Sequence, residues 1–170
     1  MPVQYASLFI ANFPEKKAYM NSIDPHAFYM NRCIELGLLA KQRGDSPVGS
    51  VLVADGVIVS EGIEGGKTHR DITYHAEIEA IRNLVKSTGL TDLSHCILYT
   101  THEPCIMCSY VIRHHKINTV VWAISTGVYG GGSSDYKLLE DRSVHTWATP
   151  PLLISGVMEQ ACMDRLYSNS

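Results

Sequence analysis

Apolar and polar positions follow two different periods along this chain, and the switches between them mark its elements. From Asp24-Pro25 the set Met30, Cys33, Ile34 and Gly37 recurs at helical spacing to about Gln42. Asp can cap free amides and Pro suits the first helical position, so a helix is predicted to start there. Gly44-Asp45-Ser46-Pro47 breaks the pattern. Two apolar runs, 48–54 and 57–60, flank Asp55-Gly56, a two-residue hairpin turn. A polar loop is expected from Glu61 to about Tyr74. Helical spacing returns with Ala76, Ala80, Ile81, Leu84 and Val85 and ends near Thr88-Gly89. Residues 96–101 read as a buried strand, 105–115 as a helix opened by Pro104, and 119–124 as another strand. A glycine-rich loop (127–134), a helical turn (136–141), a short strand (152–154) and a helix (157–166) complete the order. Such alternation implies an α/β fold, one sheet with helices on both faces. The expected organisation is an N-terminal extension, 1–24, and a single domain, 25–170.

Composition narrows the function classes. A chain of 170 residues, 45% apolar and 18% charged, fits one folded domain and excludes intrinsic disorder. Fourteen basic against seventeen acidic side chains argue against a generally basic nucleic-acid binder. No apolar run approaches the ~20 residues of a membrane helix. The short stretch Ser7–Ala11 follows no positive charge and stops at Asn12, which speaks against a signal peptide. Five cysteines without framework spacing argue against a disulfide scaffold and for a reducing, cytoplasmic setting.

Two predicted helix starts carry the chemistry. Cys105 and Cys108 lie three apart, so both thiols face one side of the first turn, where the helix N-terminus favours thiolate. His75 can add a third ligand. Three N/S ligands leave the fourth position of a tetrahedral zinc open, the mark of a catalytic site. Glu77, two residues past His75, can stand near the metal without binding it and move protons for a metal-assisted hydrolysis. Alone, Cys105 and Cys108 read equally as a redox pair or half of a structural zinc site. The first lacks a βαβ context and a Gly-Pro between the cysteines, and the second lacks another paired motif. His75-Ala76-Glu77 thirty residues upstream favours the catalytic reading.

Three stretches carry a resemblance: Ser46–Val53, His75–Arg82 and Leu98–Cys108. With H-x-E followed by P-C-x-x-C, the chain resembles the cytidine-deaminase-like superfamily of zinc deaminases, over about residues 25–167. It is similar to the branch acting on nucleobases and nucleosides, which includes guanine deaminase, cytosine deaminase and tRNA adenosine deaminase. The resemblance implies a three-layer α/β/α fold with a five-stranded mixed sheet, and one zinc per chain held by His75, Cys105 and Cys108. It implies Glu77 as proton shuttle, the Ala76 amide as a contact to the base, and a homodimer with the site near the subunit interface. A small heterocyclic substrate is the expectation, with adenosine in tRNA as the alternative. The tRNA enzymes continue into a basic, aromatic tail, whereas 164–170 offers only Arg165 as a basic residue.

One departure stands out. Branch members commonly carry Asn where this chain has Glu64, in Gly62-Ile63-Glu64. Asn donates and accepts, while an ionised Glu only accepts. Glu64 is therefore read either as solvent-facing or as a contact to an altered substrate. His102 can line the pocket or sit at the surface. Asp135 and Tyr136 can close over the substrate or belong to a flexible loop. Trp122 reads as core, residues 113–116 as a solvated basic cluster, and 145–147 as an irregular segment or an aromatic wall for a base.

Overall fold

The computed structural model describes residues 24–168. The expected N-terminal extension lies outside the described residues except for Asp24. Helix α1 (Pro25–Gln42) starts at Asp24, whose Oδ1 accepts from the His26 amide at 3.0 Å. Strands β1 (Gly49–Ala54) and β2 (Val57–Ile63) form the hairpin around Asp55-Gly56. A one-turn helix α2 (Gly66–His69) precedes α3 (Ala76–Thr88), and β3 (Ile97–His102) leads to α4 (Ile106–His114). β4 (Thr119–Ile124), a 3₁₀ turn (Gly127–Tyr129), β5 (Leu152–Ile154) and α5 (Glu159–Tyr167) follow.

The sheet order is β2-β1-β3-β4-β5, with β1 antiparallel to both neighbours and β3, β4 and β5 parallel. The central strands are nearly continuous apolar runs because both faces are covered. Val51, Val53, Tyr99, Val121 and Ala123 pack on one face against Met30, Cys33 and Ile34 of α1 and Cys162 and Leu166 of α5. Leu52, Leu98, Val120 and Trp122 point the opposite way, against Ala80, Ile81 and Leu84 of α3 and Ile112 of α4. The architecture is the expected three-layer α/β/α with a five-stranded mixed sheet. No described helix is long and apolar enough to cross a membrane.

Three local expectations are corrected. The loop predicted from Glu61 instead continues β2 to Ile63 and then forms α2. This short helix forms because a distant residue caps it: the Asp45 carboxylate accepts from the amides of Lys67 (2.9 Å) and Thr68 (3.0 Å) and from the Thr68 hydroxyl. Residues 136–141 make turns without a helix. Arg113 is not solvated. It is 3% exposed and donates to the carbonyls of Leu139, Asp141 and Ala148, with Trp147 stacked on its guanidinium.

Candidate active site

Both helix starts above the end of β3 fall on candidate ligands. His75 occupies the capping position of α3 and Cys105 that of α4, each with extended backbone (φ −76°, ψ 146°; φ −68°, ψ 173°). Neither side chain makes a capping hydrogen bond to its helix, as a Ser or Asp would there. Both turn instead towards Cys108, which is fully buried near the start of α4. His75 Nδ1 lies 3.6 Å from Cys105 Sγ and 3.4 Å from Cys108 Sγ, and the two sulfurs are 3.6 Å apart. Zinc bonds of ~2.0–2.1 Å to nitrogen and ~2.3 Å to sulfur at tetrahedral angles require ligand-to-ligand edges of about 3.5–3.8 Å. The triad therefore has the size and donor chemistry of a zinc site. It is the only group of three or more His, Cys, Asp or Glu among the described residues so arranged.

The three donors differ in how readily each is deprotonated. The thiol of Cys105 falls to about 4, first through its bond with Cys108, with His75 adding to the effect. The same contact and burial push Cys108 well up. His75 rises to about 9, chiefly through Cys105. A metal ligand must be deprotonated, so Cys105 meets that condition, while Cys108 and His75 would each give up a proton on binding the ion.

Glu77 is 3% exposed, in the first turn of α3. One carboxylate oxygen is 3.6 Å from Cys108 Sγ and the other accepts from Thr100 Oγ1 at 3.4 Å. It touches one side of the triad and does not belong to the group whose donors all lie within 4.8 Å of one another. Burial lifts its carboxyl to about 7. That range suits a group that both takes and returns protons near neutrality.

A cavity of about 240 Å³ opens beside the triad. Of the residues singled out in the sequence, His75, Cys105, Glu77, Glu64 and His102 line it. Glu64 is 8% exposed, so the solvent-facing alternative does not hold. Its Oε1 accepts from the Gly66 amide at 3.2 Å, the Ala76 amide is a second backbone donor acting on it, and burial raises its carboxyl above the usual range. His102 bonds Tyr167 Oη through Nε2 (2.6 Å) and Thr101 Oγ1 through Nδ1 (3.0 Å), and burial lowers it to about 4. Asp135 and Tyr136 do not line this cavity: both are exposed and line a separate groove with Ile106 and Lys137. They follow a loop that is pinned by Glu103. Trp147 is not a wall of the cavity either, because it packs on Arg113 and Tyr110.

Ser46, Val48, Glu103, Thr126 and Tyr167 complete the lining and were not read as site residues in the sequence. Glu103 is 2% exposed and fully engaged. It accepts from the amides of Thr126 (3.0 Å), Gly132 (2.9 Å) and Ser133 (2.6 Å) and from the Ser133 hydroxyl (2.6 Å). It thereby fixes the glycine-rich loop at the edge of the site. Gly130 must be glycine, since an added Cβ would lie 2.4 Å from the Glu103 carboxylate. The Glu-Pro-Cys order offered a signal for Glu103. Nothing local signalled Tyr167, which arrives from α5.

Comparison with known proteins places these observations in context. Residues 23–124 match the model of the cytidine and deoxycytidylate deaminase zinc-binding region. The chain is 35% identical over 139 residues to the tRNA-specific adenosine deaminase of Haemophilus influenzae, covering 81% of this chain and 78% of that one. It is 38% identical over 99 residues to the guanine deaminase of Bacillus subtilis, covering 58% and 64%. Across curated relatives of the first kind it spans 61% to 78% of their length. A solved structure from a study of A-to-I editing by tRNA wobble-position deaminases superposes with a TM-score of 0.75 at 27% identity, covering 82% of this chain and 99% of that one.

Proposed function

Because this chain belongs to the cytidine and deoxycytidylate deaminase zinc-binding family, we propose that it replaces the exocyclic amino group of a small amino-substituted heterocycle with oxygen, releasing ammonia. The observation that carries this reading is the buried Glu77 carboxylate, held against one side of the ligand triad without completing it. His75, Cys105 and Cys108 would hold the zinc, which when bound would supply a Lewis acid that makes water nucleophilic near neutral pH. Glu77 takes the proton that the attacking water gives up. It gives that proton to the ring nitrogen, then takes the second proton from the new hydroxyl and gives it to the amino group, so that the C–N bond breaks, ammonia leaves and a carbonyl remains. Thr100 holds Glu77 by its hydroxyl during both transfers. The ring fits a cavity of about 240 Å³, at the small end for a ligand pocket.

The small-molecule reading is supported by an acidic lining with no lysine or arginine. A second reading, deamination of adenosine in tRNA, is supported by the Haemophilus influenzae relative and the superposed editing enzyme. A homodimer belongs to the proposal and is supported by the exposed Val128, Tyr129 and Tyr136 after β4. Light scattering measures it.

The test is ammonia release from free bases, nucleosides and a tRNA anticodon stem-loop, with Glu77→Gln alongside. The variant should keep its fold and about one zinc per chain while turnover falls about 10²–10⁴-fold. Loss of zinc would make Glu77 a ligand, and unchanged turnover would move the proton transfer elsewhere.

A further inference from the structure

Three carboxylates reach the cavity, and they are not equivalent. Glu103 is saturated by four donors from residues 126–133. Glu77 lies against the ligand triad. Glu64 is as secluded as a core residue, yet no direct ion pair joins it among the described residues: His75 acts on it through its charge only, and its hydrogen-bond donors are backbone amides alone. A carboxylate has about four lone-pair sites, so acceptor capacity remains on the side that lines the cavity. Burying such a group without full partners is costly, and a ligand that supplies N–H groups offsets that cost. His102 and Tyr167 add no charge to the cavity: they are bonded to each other, and burial keeps the imidazole neutral. No lysine or arginine lines the cavity to receive a phosphate.

We propose that Glu64 is a specificity-determining residue that accepts a hydrogen bond from the substrate. The substrate class is an uncharged or cationic amino-heterocycle with at least one N–H beyond the amino group that leaves, and without phosphate. This rests on the deaminase reading and deepens it. A ring alkylated at that N–H loses the bond and leaves the carboxylate facing carbon. A phosphate would meet an acidic wall.

The test compares adenine, guanine and cytosine with 9-methyladenine and 1-methylcytosine, which carry no N–H beyond the amino group, and with the nucleoside monophosphates. Wild type should favour the parent bases by about 10- to 100-fold in kcat/KM, and Glu64→Gln should shrink that preference at least 10-fold. A purely steric effect of the methyl group would persist in the variant. Glu64→Asp, which keeps the carboxylate, should retain part of the preference. Zinc content and thermal unfolding establish that each variant is folded. Calorimetric binding of the same bases is read independently of turnover. Glu64-dependent binding without ammonia release overturns the deaminase reading and leaves the Glu64 contact standing. Turnover with one ranking in wild type and Glu64→Gln overturns the Glu64 assignment alone. Faster turnover of a monophosphate, or of a tRNA anticodon stem-loop ahead of every free base, overturns the substrate class.

Discussion

His102 shows how burial alone sets the charge of a residue in the cavity. Desolvation lowers its imidazole to about 4, although Glu64 and Glu103 line the same cavity and would favour the cation. Its nitrogens are occupied by the hydroxyls of Tyr167 and Thr101. The ring is neutral when folded and has an ordinary pKa of about 6.5 when unfolded. Between those values the unfolded chain binds more protons, so stability is complete above about pH 6.5 and is lost as pH falls towards 4. Wild type should lose about 1–2 kcal/mol relative to His102→Gln between pH 7.5 and pH 5, after allowance for partial exposure. Urea unfolding at the two pH values measures it. Parallel pH dependence in both proteins would mean that the native imidazole is solvated.

At the scale of elements, the site depends on how closely β2 approaches α3. A Cβ on Gly62 would lie 1.9 Å from the Ala76 carbonyl oxygen and 2.5 Å from the Ala80 amide nitrogen. The strand thus touches the helix backbone to backbone, at the end that carries His75. Gly62→Ala should displace that end, cost about 3 kcal/mol and lower the zinc content. Denaturant unfolding and metal analysis check it, and a variant with normal stability and full zinc would show that the helix can shift freely. Elements whose cause is local were readable in the sequence. Asp24-Pro25 starts α1, Asp55-Gly56 turns the hairpin, and the unbroken apolar runs became strands covered on both faces. What was missed has a distant cause. Helix α2 is capped by Asp45 across more than twenty residues. Arg113 is buried by carbonyls of a loop that follows it by at least 26 residues. Tyr167 meets His102 across 65 residues. The ligand triad was readable because its members sit at helix starts with fixed spacing, while the place of Asp135 was not, because the loop before it answers to Glu103.

For the whole molecule, the ligand triad spans the starts of two helices of one layer. His75 begins α3 and Cys105 and Cys108 begin α4, so one ion links segments 30 and 33 residues apart. The two apolar clusters on either face of the sheet contain neither His75 nor Cys105 nor Cys108. The core is therefore independent of the ion, and chelation should leave secondary structure intact while lowering stability. An ion bound to the folded chain at 1,000 times its dissociation constant adds about 4 kcal/mol, which for a chain of this size is a Tm difference of about 8–16 °C. Dipicolinate treatment should produce a fall of that order with an unchanged far-UV circular dichroism spectrum, and one equivalent of zinc should reverse it. Unfolding on chelation would mean that the ion, and not the two clusters, holds the layers together. An unchanged Tm with zinc fully removed would mean that the triad contributes no net linkage between α3 and α4.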